Sequence, residues 1–201
     1  MSKSSLFARK LDSVLKWLFR AAVAAILLCV LVFVVSVVIL RIDPSFAKEI
    51  MNTVFLSNLS LSVTDSAIPS ASFATVYLLI DLAFFLLSAG ISCVCLKLLR
   101  NILKPMIEQQ PFHASVSQNL KKLGWSSLVL GIGYGCFSAV ETMVLYRGYN
   151  LDTLLLNEYI TKVVPQFRFN LDFVLVAVVL FLLSYIFKYG EQLQQQVDET
   201  L

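Results

Sequence analysis

The chain has 201 residues, of which 58% are hydrophobic and 14% charged, and its formal net charge is +3. With a mean hydropathy of +0.81 these values exclude an ordinary soluble globular domain and point to an integral membrane protein. The positive charge is small and lies beside apolar runs, which excludes a direct nucleic-acid footprint.

The first 17 residues are basic, with Lys3, Arg9, Lys10 and Lys16, and they place Phe7, Leu11, Val14 and Leu18 at helical spacing. They read as an amphipathic lead-in on the inner membrane surface. Residues 18–40 follow as a first span, long enough at about 1.5 Å per residue to cross a hydrocarbon core of about 30 Å. The run is longer than a signal peptide's apolar region and reads as a retained helix.

Asp43-Pro44 is a helix start, Asp as N-cap and Pro in the first turn, and Phe46, Ile50 and Val54 then recur at fours. This predicts a short interfacial helix. Residues 57–72, rich in Ser and Thr, read as a loop returning to the bilayer. The second span is predicted over 73–96, the third over 125–145 and the fourth over 171–187. Between the last two, Asp152 is placed to cap an outer helix over 153–164, which Pro165 would stop.

A polar connector, residues 97–124, joins the second and third spans, and a polar tail runs over 188–201. The connector holds Lys97, Arg100, Lys104, Lys121 and Lys122 against one acid, Glu108. Within it, residues 116–123 read as a helix entered after His113, with Ser115-x-x-Gln118 resembling a capping box. Five of the 16 basic residues lie ahead of or within the start of the first span, five in the connector, and Lys188 leads the tail. The positive-inside rule therefore puts both termini and the connector in the cytoplasm. The expected fold is an all-α membrane protein of one domain, residues 1–201, with four transmembrane helices in two hairpins.

Little in the chain can carry chemistry. Cys29, Cys93, Cys95 and Cys136 all lie in apolar runs, and none is placed for a disulfide framework. Cys93 and Cys95 point to nearly opposite faces of a helix and cannot share a metal. His113 is the single histidine and has no nucleophile or metal-ligand set around it. We therefore expect no catalytic residues, no cofactor, no metal and no enzymatic activity. In the third span Ser127, Gly131, Gly135 and Ala139 recur at fours and form a face for close helix packing.

Three acids fall in the outer half of the spans. Counting inward puts Asp81 about 12 Å deep, Glu141 about 6 Å deep and Asp172 at the edge. They read either as an intramembrane polar site of a small transporter or channel, with Asp81 and Glu141 at its centre, or as structural acids paired with Arg41, Arg147 or Arg168.

The tail carries a more specific signal. Ile186-Phe187-Lys188-Tyr189-Gly190-Glu191-Gln192-Leu193-Gln194, then Asp198-Glu199-Thr200-Leu201, together with Pro111-Phe112 in the connector and four spans, resembles the bacterial membrane-protein family domain of unknown function 2975. The chain departs from that pattern at Gln110, where Gly commonly precedes Pro-Phe, and at His113 and Ala114, where a Thr-Pro-like entry is usual. The resemblance implies a multi-pass protein of the bacterial inner membrane, often encoded beside a helix-turn-helix regulator. On this reading the connector and tail form a cytoplasmic face for a soluble partner such as a helix-turn-helix regulator, and Pro111, Phe112, Gly190, Leu193, Gln194, Asp198 and Thr200 are the residues expected to bind it. The lipid bilayer is the other expected partner.

Overall fold

The computed structural model describes residues 3–56, 59–63, 68–108, 110, 112–151, 153 and 170–199. It contains α1 (Lys3–Ile42), α2 (Phe46–Met51), strands β1 (Thr53–Leu56) and β2 (Leu59–Ser62), α3 (Ala71–Ile107), α4 (Ala114–Gly148) and α5 (Asp172–Glu199). Four of these helices, α1, α3, α4 and α5, are long and apolar enough to cross a membrane. In their most apolar windows only 0% to 11% of residues are buried by protein. An apolar medium must cover the remainder, since in water such surface would collapse or aggregate. The chain is a multi-pass, predominantly helical membrane protein.

The helices overrun the predicted spans in both directions. The amphipathic lead-in is not a separate surface helix: it is continuous with the first span in α1, because no Gly or Pro interrupts residues 3–42. The connector is likewise mostly helix. Its residues favour helix about as well as a solvated loop, so α3 continues to Ile107 and α4 already begins at Ala114. The short helix expected over 116–123 is the first part of α4. The tail continues α5 to Glu199.

The expected interfacial helix is shorter than its periodicity implies. Asp43 does set the turn, its Oδ1 accepting from the Ser45 N–H at 2.9 Å and from the Ser45 hydroxyl at 2.6 Å. These two bonds hold the Asp43 carboxyl below the usual carboxylate range. Asp43 itself is not the N-cap, however: α2 begins at Phe46, with Ser45 in the capping position. It ends at Met51, and Val54 lies in a strand. The run Thr53-Val54-Phe55 is β-branched and aromatic, and it pairs antiparallel with β2, Thr53 opposite Ser62 and Leu56 opposite Leu59. Val63 N–H closes the open end on Asn52 C=O at 2.9 Å. Part of the predicted loop over 57–72 is thus a strand. At its far end Ser70 starts α3, its Oγ accepting from Phe73 N–H at 3.4 Å and its carbonyl from Ala74 N–H at 3.1 Å.

The chain forms two compact units. One contains residues 27–86 and 134–169. Its core joins Leu40, Ala47, Met51, Ala74, Leu145, Tyr149 and Leu151. The Tyr149 hydroxyl donates to Met51 C=O at 2.8 Å, tying the end of α4 to α2. At the same end Gly148 lies so close to Phe73 that a methyl group there would overlap the ring. The left-handed turn that ends the helix falls instead on Asn150, at φ 46°. Gly148 is small for packing, and Asn150, which tolerates positive φ, makes the turn. The outer helix expected over 153–164, with its cap Asp152, lies outside the described residues.

The other unit contains residues 1–26, 87–133 and 170–201. Ile102 of α3 and Val116 and Leu120 of α4 form its core, with Leu180 and Phe187 of α5 against them. The small face of α4 is occupied here. A side chain at Gly131 would overlap Phe173, Gly124 would bring a Cβ to 2.7 Å of Phe181, and Ser127 Oγ donates to Phe173 C=O at 3.4 Å. The face is an intramolecular seam at these positions. All four cysteines are free.

Candidate functional site

The connector turn is built by one helix stopping and another starting within a few residues. Pro105 has no N–H to continue the ladder and sits buried in the last turn of α3. Gln110 N–H then closes on Pro105 C=O at 2.9 Å, and His113 N–H on Gln110 C=O at 3.3 Å. His113, rather than the expected Ser115, caps α4. Its Nδ1 lies 3.2 Å from the Ser115 N–H and 2.8 Å from the Ser115 hydroxyl, while its carbonyl accepts from Val116 N–H at 2.9 Å. Accepting a backbone N–H at Nδ1 leaves the ring proton on Nε2. A capping box centred on Ser115 fails because the helix has already begun one residue earlier.

This turn packs on the tail helix. The Phe112 ring lies over Gly190, where any Cβ would collide with it, and 5.9 Å from the Phe187 ring. The Phe of Pro111-Phe112 and the Phe and Gly of the tail motif are therefore in mutual contact. Beside them Gln110, Phe112, His113, Ala114, Glu191, Gln194 and Gln195 line an open cleft of about 330 Å³. Further along the same helix pair Ser184 Oγ donates to Ser117 C=O at 2.7 Å. Amide side chains, one imidazole and one carboxylate suit hydrogen bonding to a polypeptide. The Glu191 charge opposes phosphate or nucleic acid.

The motif residues divide between faces. Gly190 and Gln194 face the turn and its cleft, whereas Leu193 is exposed and does not line it. Pro111 and Thr200 lie outside the described residues; Asp198 falls within α5, with its side chain outside the description.

The membrane acids divide between the two compact units. Glu141 Oε1 accepts from the Tyr77 hydroxyl at 2.9 Å. Asp81 is one turn further along α3 from Tyr77, exposed, and its side chain forms no hydrogen bond or ion pair with a described residue. Beyond it Phe84 stacks on Phe137 of α4 at 3.8 Å. Asp172 belongs to the other compact unit, where Asn170 Nδ2 donates to it at 2.8 Å. Among the described residues neither Arg41 nor Arg147 pairs with any of the three. Arg168, the remaining expected partner, lies outside the description. No group of three or more His, Cys, Asp or Glu side chains among the described residues could hold a metal.

Two participants went unnoticed in the sequence. Asp12 bridges Lys16 at 2.7 Å and Arg100 Nε at 3.0 Å, joining α1 to the connector end of α3. Its i,i+4 spacing to Lys16 was a readable signal, but Arg100, 88 residues away, was not. Tyr77 could not be linked to Glu141 without knowing which faces of α3 and α4 meet. No family model matches this sequence, and searches of curated proteins and of solved structures return no match either.

Proposed function

We propose that the chain is a non-enzymatic, multi-pass protein of the bacterial inner membrane whose connector turn and tail helix together hold a soluble cytoplasmic partner. The observation that carries this reading is the packing of Phe112 over Gly190, which joins two distant polar segments into one surface with an amide-lined cleft. A solvated loop and a frayed tail would have no reason to be fixed to each other. The basic residues clustered at the connector support a cytoplasmic orientation. The resemblance in the tail supports a transcriptional regulator as the partner class.

The alternative, a small transporter or channel, draws less support: Tyr77 already satisfies one oxygen of Glu141, and among the described residues Asp81 has no side-chain hydrogen-bond partner. The test places a photoreactive amino acid at Gln194 or Gln195 and, as a control, at Val176 on the apolar part of α5. Expected is a covalent adduct with one DNA-binding regulator from Gln194 and Gln195 but not from Val176, and its loss in Glu191→Lys. A fully inserted protein that yields only lipid adducts from the cleft would end the proposal.

A further inference from the structure

The connector turn is held at its centre by the only histidine of the chain. Neutral His113 accepts at Nδ1 from the Ser115 N–H at 3.2 Å, with the Ser115 hydroxyl 2.8 Å away. Its backbone is fixed on both sides, the N–H closing on Gln110 C=O and the C=O accepting from Val116 N–H. The residue before it, Phe112, lies over Gly190. One imidazole nitrogen thus stands between the start of α4 and the contact that joins connector to tail.

The usual capping side chains ignore mild changes of pH. Ser, Thr and Asn do not titrate, and Asp loses its charge only in strong acid. Histidine is the side chain whose charge changes between about pH 5 and pH 8, and an imidazolium has two N–H donors and no acceptor. On protonation the Ser115 hydroxyl can turn and accept from Nδ1–H. The Ser115 N–H cannot turn, so two donors face each other at 3.2 Å, beside the positive end of α4. The ring is exposed, so water delivers the proton directly.

The cleft supplies the other end of the swing. Of the described residues that line it with His113, Glu191 of α5 is the one that carries a charge; Gln110, Gln194 and Gln195 are neutral, and Lys104, Glu108 and Lys188 do not line it. A carboxylate facing the same opening attracts an imidazolium more strongly than a neutral ring.

We infer that His113 is a pH-sensitive latch: neutral, it caps α4 and leaves the cleft open; protonated, it gives up the Ser115 N–H and pairs with Glu191 across the cleft. A soluble partner is then held only while the ring is neutral, a consequence that rests on the reading of the cleft as that partner's seat.

The test uses the full-length chain in proteoliposomes, labelled with a nitrogen isotope at histidine so that nuclear magnetic resonance observes a single imidazole. Expected is the Nε2–H tautomer near about pH 8 and, as the ring protonates toward about pH 5, a fall in amide-exchange protection of Ser115 after correction for the intrinsic rate. The fall should be about fivefold, the change that loss of an N-cap typically produces. In His113→Asn, which caps without titrating, it should vanish, and in Glu191→Gln the ring should protonate at lower pH. An Nδ1–H tautomer in the neutral chain, protection that stays level while the ring titrates, or an unmoved midpoint in Glu191→Gln would overturn the inference. The first two are read from the unaltered chain, whether or not a variant folds. The partner is tested separately, with the photoreactive residue at Gln194 in native membranes: the regulator adduct should disappear at low pH in the unaltered chain and persist in His113→Asn. An adduct lost equally in both chains would place the pH response in the partner and count against the latch. No adduct at any pH, with the amide response intact, would end the partner reading and leave the latch standing.

Discussion

Gly190 is where a single methyl group decides whether two segments of the chain can meet. The Phe112 ring occupies the space a Cβ would need. Gly190→Ala should therefore force the ring aside and lower stability by about 1–3 kcal/mol, the usual range for overpacking. The thermal midpoint in detergent measures this, and Phe112→Leu in the same chain should restore part of the loss, because the smaller side chain vacates the contact. An unchanged midpoint in Gly190→Ala would remove the contact from the account. Asp43 allows a second residue-scale prediction. Its carboxyl is held below the usual range by Ser45, so its contribution to the α2 turn is complete above the unfolded value of about 3.9 and is lost as pH falls through the lower folded one. Amide-exchange protection of Ala47 and Lys48, whose N–H groups bond to Pro44 and Ser45 carbonyls, should drop across that acid window. In Asp43→Asn, which cannot titrate, the drop should vanish. A drop of the same size in the variant would show that Asp43 is not its cause.

Between elements, the polar link from α3 to α4 can be separated from the apolar contacts around it. The Tyr77 hydroxyl and Glu141 Oε1 lie 2.9 Å apart, with Phe84 stacked on Phe137 two turns along α3. Tyr77→Phe removes the donor without changing the ring, and Glu141→Gln removes the charge without changing the length. Side-chain hydrogen bonds between membrane helices contribute modestly, averaging about 0.6 kcal/mol, because the separated helices find other partners. Each single change should cost on the order of 1 kcal/mol, and the double mutant little more than either one, as measured by unfolding in mixed micelles. Fully additive costs would mean that the two groups act independently. The stacked rings, untouched by these changes, should keep α3 and α4 paired in every variant. This link also illustrates why part of the site was hidden in the sequence. Glu141 stood out as an acid in an apolar run, but its partner is an ordinary Tyr 64 residues away. Only the antiparallel packing of α3 on α4 selects Tyr77 from the seven tyrosines.

At the scale of the whole chain, the four crossing helices were legible because apolar runs of about 20 residues leave few alternatives. What the runs could not show is how far helix continues into polar sequence: Lys97, Arg100, Asn101 and Lys104 are as compatible with helix as with loop, and α3 includes all of them. The strand at Thr53 was misread for the opposite reason, since a short apolar run spaced at fours satisfies a helix until pairing with β2 selects the other conformation. The same crossing count makes the last prediction. With all four helices crossing, the chain is expected to return to its starting side, which predicts the connector and tail on one face of the membrane and the segment holding α2 on the other. Eleven of the 16 basic residues belong to the lead-in and first turn of span one, the connector and the tail, so the positive-inside rule predicts the cytoplasm for that shared face. Single cysteines introduced as Glu108→Cys, Gln195→Cys and Glu49→Cys, with native cysteines blocked beforehand, should show this with an impermeant thiol reagent on intact cells. Glu49→Cys should react at once, while Glu108→Cys and Gln195→Cys should react only after the membrane is opened. If Glu108→Cys and Gln195→Cys label on opposite sides, the chain has an odd number of crossings between them, and one of α4 and α5 does not span. If all three labels reverse, the helices span as described but the positive-inside assignment fails, and the cleft at Gln194 faces outward, away from any cytoplasmic regulator.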